Sequence, residues 1–137
     1  NITVVTNAIN VASELGARSI AAIVTGGTLR ESTSSLVGPL TAQSLSGMAF
    51  DRAFLGATGL SASHGFSNSN VYESEIKRLA IRQSARTTIV MDHTKFGIRA
   101  LSSFAALRDV TDIVTDRQPD EQLTAALAEA GVAIVVA

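Results

Sequence analysis

Four short apolar runs, each ending in a polar or glycine-rich turn, constrain this chain more than anything else in its sequence. Ile2–Val5 runs into Thr6-Asn7, and Ser19–Val24 into Thr25-Gly26-Gly27. Arg52–Ala57 passes into a turn spanning Gly56, Ala57, Thr58 and Gly59, and Thr87–Asp92 into His93-Thr94-Lys95-Phe96-Gly97. Between them lie stretches at helical spacing. Ala8, Val11, Ala12 and Leu15 recur at i, i+3, i+4, i+7 before Gly16. Val37–Met48 reads as a helix entered through Gly38-Pro39, and the residues after the third strand read as a long loop to about Asn70. Tyr72, Ile76, Leu79 and Ala80 give the next helix its apolar face, with Lys77, Arg78 and Arg82 read as turned outward. An irregular stretch and the run Thr111–Asp116 follow. A helix from about Pro119 to Ala130, stopped by Gly131, leads into a last strand, Val132–Ala137.

Strands alternating with helices predict βαβ units: an α/β fold with an open, mostly parallel sheet and helices on both faces. Composition agrees, because 46% apolar but only 4% aromatic residues leave Val, Ile, Leu and Ala to build the core. A chain of 137 residues suits one domain, spanning 1–137. A net charge of −1 and a pI near 6.1 provide no basic footprint for DNA or RNA. With no cysteine there is no disulfide, thiol nucleophile or thiolate metal site. No apolar run approaches the roughly 18 residues of a membrane helix, and no signal-peptide pattern is visible. The expectation is a cytoplasmic domain without a membrane partner. The start, lacking Met and falling straight into a strand, suggests a piece of a longer protein.

Ligands of open parallel sheets bind outside the carboxyl ends of the strands. The four turns are therefore expected on one edge of the sheet, and that edge is the candidate site. Thr6-Asn7 offers amides and side chains to an anion at a helix start, or Asn7 caps the helix. Gly26 and Gly27 allow close approach of a ligand, or simply form a turn; Gly56 and Gly59 carry the same ambiguity. Lys95 suits a phosphate as a compact charge, or pairs with Asp92. Arg30 is a second cation near this edge, or a solvated loop residue. No Walker or dinucleotide fingerprint is present, so a nucleotide is not favoured, and no cofactor is expected. "GLSAS" (Gly59–Ser63) lacks the last glycine of a nucleophile elbow, which argues against Ser61. The two histidines have no metal-ligand spacing, and His64 reads as a polar loop residue. Glu75 offers a proton shuttle or a solvated carboxylate. The residues alone point to a small anionic ligand.

"TVVTNAINVASEL", "VTGGTLR", "VGP", "DRAFLGATGLSASHGFSN", "ESEIKRLAI", "MDHTKFG" and "DIVTD" follow one another in an order that resembles the effector-sensing domain of DeoR-type bacterial repressors of sugar operons. The resemblance covers essentially the whole chain. It implies a fold like ribose-5-phosphate isomerase and a sensor of a phosphorylated sugar. It also implies operator DNA as a partner only through an N-terminal helix-turn-helix outside this sequence, and a homo-oligomer. The first βα unit of the family's sensor, with its phosphate turn, is missing from this reading. The ligand residues implied are Thr6, Asn7, Gly26, Gly27, the Gly56–Gly59 turn (with Ala57 and Thr58), Lys95 and, from the following helix, Glu75. Where the isomerase carries aspartates, this chain has Leu55-Gly56-Ala57-Thr58-Gly59, which implies binding without proton transfer, hence no enzyme. The alternative is a sugar-phosphate isomerase with Glu75 as base and Lys95 as its electrostatic partner.

Overall fold

The computed structural model describes residues 1–137, which divide into two units, Asn1–Met48 and Ala49–Ala137. In the first unit, β1 (Val4–Thr6) and β2 (Ala22–Val24) pair in parallel around α1 (Ile9–Ala17). The run Ser19–Val24 was expected to be a buried strand. Only its last three residues are strand, and Ile23 and Val24 are each 46% exposed, because a two-stranded sheet leaves much of its surface uncovered. A hairpin of β3 (Thr28–Arg30) and β4 (Ser35–Val37) follows, with no counterpart in the periodicity of the sequence. Pro39 then opens α2 (Pro39–Ser46), as expected from its fixed φ at a helix start.

The second unit holds the larger sheet, four parallel strands in the order β11-β10-β8-β5: β5 (Phe50–Leu55), β8 (Ser84–Val90), β10 (Asp112–Thr115) and β11 (Ala133–Val136). This is the open, mostly parallel α/β sheet expected from the alternation of elements. Alternate residues Leu55, Ile89, Ile113 and Ile134 share one face. They pack with Leu123 and Leu127 of α4 (Glu121–Glu129) and Ile81 of α3 (Val71–Arg82). Both helices begin on side-chain caps, Asn70 accepting from the Tyr72 and Glu73 amides and Asp120 from the Leu123 amide. Between β8 and β10, the Thr88 hydroxyl donates to Asp112 Oδ1 at 2.6 Å, a cross-strand tie inside the ladder.

The expected long loop after β5 is instead ordered structure. β6 (Gly59–Ser61) and β7 (Gly65–Asn68) form a hairpin, and β9 (Ser102–Ala105), inside the expected irregular stretch, pairs with β7 to make a three-stranded antiparallel sheet. Glycine and serine hid it. Small side chains give no alternation of hydrophobicity, yet Ser61, Ser67 and Asn68 are buried, and Leu60 and Phe66 are core residues. Gly59 is needed for the close approach, since a Cβ there would lie 2.5 Å from the Ile98 carbonyl oxygen.

The two glycines after β2 have opposite surroundings. Gly27, with φ at +138°, lies against α2, where a Cβ would overlap Thr41 Oγ1, while a Cβ on Gly26 would meet nothing. The Thr41 hydroxyl in turn donates to the Gly26 carbonyl at 2.5 Å. Gly27→Ala should therefore destabilise the protein by more than about 1 kcal/mol. Gly26→Ala should stay within about 0.5 kcal/mol of wild type. Denaturant midpoints of the two variants check this, and equal costs would contradict it.

Candidate functional site

The expected ligand residues fall into two clusters, one in each unit. In the first unit, β1 and β2 are parallel neighbours, so Thr6-Asn7 and Thr25-Gly26-Gly27 leave adjacent strands at the same end. The Asn7 side chain does not cap the helix. Residue 8 is the N-cap of α1 and has no side-chain cap bond, whereas Asn7 Nδ2 donates to the Leu36 carbonyl at 2.9 Å. The Leu36 amide returns a bond to the Asn7 carbonyl at 2.8 Å, so Asn7 fastens β4 beside β1. Thr6 Oγ1 accepts from the Ala8 amide at 3.1 Å. Thr25 is buried, and its hydroxyl has no hydrogen-bond partner. Arg30 is not a solvated loop residue, because it is half-buried at the end of β3.

In the second unit, β5 and β8 are parallel neighbours, so the Gly56–Gly59 and Asp92–Gly97 turns emerge side by side. Most of the first turn is occupied in holding the fold. Ala57 belongs to the core, and both the amide and the hydroxyl of Thr58 donate to the Ser67 carbonyl. Gly56 alone is open, with nothing near the position of a Cβ. Glu75 is exposed on α3.

The turn after β8 is a single 3-10 turn, His93–Lys95, capped by Asp92. The Asp92 carboxylate accepts from the Thr94 hydroxyl and, at 2.8 Å, from the Thr94 amide. These bonds, led by the hydroxyl, hold its pKa below the ordinary carboxylate value. Lys95 Nζ lies 3.6 Å from Asp92 Oδ2 and 3.1 Å from Thr94 Oγ1, so the expected ion pair is present, at long range. Beside it, His93 joins two strand ends. Its Nδ1 lies 2.7 Å from Asp116 Oδ2, and its amide donates to Asp116 Oδ1 at 2.7 Å. A cleft of about 390 Å³ at the ends of β8, β10 and β11 is lined by Asp92, Thr115 and Asp116 with Val90, Val114 and Ala137. The pairing of His93 and Asp116, 23 residues apart, had no local signal in the sequence.

Lys77 corrects a further expectation. It turns inward rather than outward: Nζ donates to the Gly56 carbonyl and to Asn68 Oδ1, both at 2.9 Å, and sits 5.3 Å from the centre of the Phe104 ring. Burial lowers its pKa, with the Glu73 carboxylate pulling the other way. His64 is likewise tied in, its Nε2 lying 2.7 Å from the Ala100 carbonyl oxygen.

Residues 1–117 match the family model of the DeoR C terminal sensor domain. The chain belongs to the DeoR sensor family. The DeoR-type chain is 35% identical to the uncharacterized HTH-type transcriptional regulator YulB of Bacillus subtilis, over 92% of this chain and 49% of the relative. It is 34% identical to the HTH-type transcriptional regulator GlpR of Haloferax volcanii, over 96% of this chain and 51% of the relative. The glycerol-3-phosphate regulon repressor of Escherichia coli is 30% identical over 87% of this chain and 48% of that protein. The chain spans about half the length of the curated relatives it matches. No helix of this DeoR-family sensor domain is long and apolar enough to cross a membrane.

The His93 bonds hold the Asp116 pKa below its ordinary value, the ring contributing most. A carboxylate lowered in this way favours the folded state above the roughly 3.9 of an unfolded Asp, and the contribution is lost as pH falls through the lowered value. Asp116→Asn should thus melt below wild type at pH 6, and the gap should close between about pH 5 and 2. Melting temperatures of the two proteins across that range check the sign, and a gap independent of pH would contradict it.

Proposed function

We propose that this domain senses a phosphorylated sugar or polyol, bound at the carboxyl ends of the parallel strands, and passes that state to a DNA-binding helix-turn-helix elsewhere in the same protein. The observation that carries the reading is the cleft at the ends of β8, β10 and β11, on the edge where open parallel sheets bind ligands. Its lining suits a polyol, since the Asp92 and Asp116 carboxylates accept hydroxyl hydrogens and the Val90 and Val114 side chains meet carbon. Two carboxylates would repel a phosphoryl group in the cleft itself. The phosphoryl end therefore belongs beside it, toward Lys95 and the β5 exit, where Gly56 leaves room. The relatives named as transcriptional regulators, one of them a glycerol-3-phosphate regulon repressor, favour sensing over turnover. The exposure of Glu75 and the absence of a carboxylate from Gly56–Gly59 favour it too. The regulator is taken to work as a homo-oligomer in the cytoplasm, as repressors of symmetric operators do.

The test uses matched pairs. Glycerol 3-phosphate, glucose 6-phosphate and ribose 5-phosphate are compared with glycerol, glucose and ribose by thermal shift, and the best ester is titrated calorimetrically into wild type and Lys95→Ala. An ester should stabilise the protein while its uncharged partner does not. Lys95→Ala should weaken ester binding about 10- to 100-fold through loss of a charge-assisted bond. Equal stabilisation by ester and free sugar, or conversion of ribose 5-phosphate to ribulose 5-phosphate at an enzyme-like rate, would overturn the proposal.

A further inference from the structure

The chain has only two lysines, Lys77 and Lys95, and the fold brings them to the exits of neighbouring strands. Lys95 lies in the turn after β8. Lys77 comes from the middle of α3, yet its ammonium rests on the carbonyl of Gly56, the first residue after β5. The geometry points to Lys77 as a ligand-binding residue: anchored by the Gly56 carbonyl and the Asn68 side chain, it gives its remaining N–H to an oxyanion of a phosphate ester held against the Gly56 turn. This inference rests on the sugar-phosphate reading above and names a residue of that site.

Three observations support it. First, an ammonium has three hydrogens, and two have acceptors, Gly56 O and Asn68 Oδ1, both at 2.9 Å. Second, both acceptors are neutral. A half-buried cation on neutral acceptors carries a cost, because its charge has partly left water without a bonded counter-charge. The lowered pKa of Lys77 reflects that burial, and Glu73 opposes it only through space. If the contact served only to hold the turn, a neutral donor would do so at lower cost; an incoming oxyanion supplies the missing charge. Third, the turn has room, because a Cβ on Gly56 would meet nothing within 4 Å. The Phe104 ring, 5.3 Å from Nζ, limits the ammonium's other movements and keeps it at the strand exit.

The experiment titrates inorganic phosphate, glycerol 3-phosphate and glucose 6-phosphate into wild type, Lys77→Met and Lys77→Arg by calorimetry, with melting temperatures as the check on folding. Lys77→Met keeps an apolar stem over Phe104 and removes the donor. It should bind the ester at least about 10-fold more weakly than wild type. Lys77→Arg should fall between them, since the charge remains but a planar fork replaces a compact ammonium. Should Lys77→Met fail to fold, the ¹⁵Nζ resonance of Lys77 in the wild-type protein decides, told from that of Lys95 with Lys95→Ala. It must shift on saturation with glucose 6-phosphate or glycerol 3-phosphate, and an unmoved resonance overturns the inference. Ester affinity unchanged in a folded Lys77→Met overturns this role and leaves the sensor reading standing. If none of the three anions binds wild type, both readings fall.

Discussion

Strand β8 carries the larger unit. It pairs with β5 on one side and β10 on the other, its Ile89 is fully buried, and its Thr88 hydroxyl is tied to Asp112 on β10. Where β8 ends, its chain enters the Asp92-capped turn whose histidine holds Asp116 at the end of β10. The register of three strands thus decides which side chains meet at the sheet's carboxyl edge. A one-residue slip of β8 would turn Ile89 outward and move His93 away from Asp116, so packing and the candidate site depend on the same ladder.

The edge is electrostatically divided. Asp92 and Asp116 both titrate below the ordinary carboxylate range because hydrogen bonds from Thr94 and His93 favour their charged forms. They stay ionised in any neutral solution and make the cleft an acceptor surface. The two lysines supply the opposite sign at the exits of β5 and β8. A ligand with hydroxyls at one end and a phosphoryl group at the other matches such a division better than a uniformly anionic or uniformly neutral one.

Much of this was legible in the sequence, for physical reasons that differ by element. The spacing of Leu123 and Leu127 follows from burial on one face, so α4 lies where periodicity places it. The run Thr87–Asp92 marks β8 because consecutive residues Thr87 to Ile89 are buried, although the strand spans Ser84–Val90. The antiparallel sheet of β6, β7 and β9 was not legible, because glycine and serine carry no pattern of hydrophobicity. Lys77 misled for another reason. Its place on the helix suggests solvent, but a long stem lets the ammonium reach a carbonyl well off its own helix. The His93–Asp116 pair depends on two strand ends meeting in space, which neither segment encodes alone.

Ligand bound at the carboxyl ends of the parallel strands would protect the backbone amides of the turns there. Amide hydrogen exchange with and without the phosphate ester that most raises the melting temperature tests it most directly. Exchange should slow in the turns at 56–59 and 92–97 and at Thr115-Asp116, with the exposed end of α4 around Ala128-Glu129 unchanged. Protection confined to the amino ends of the strands, or to the outer surface of α4, would contradict it.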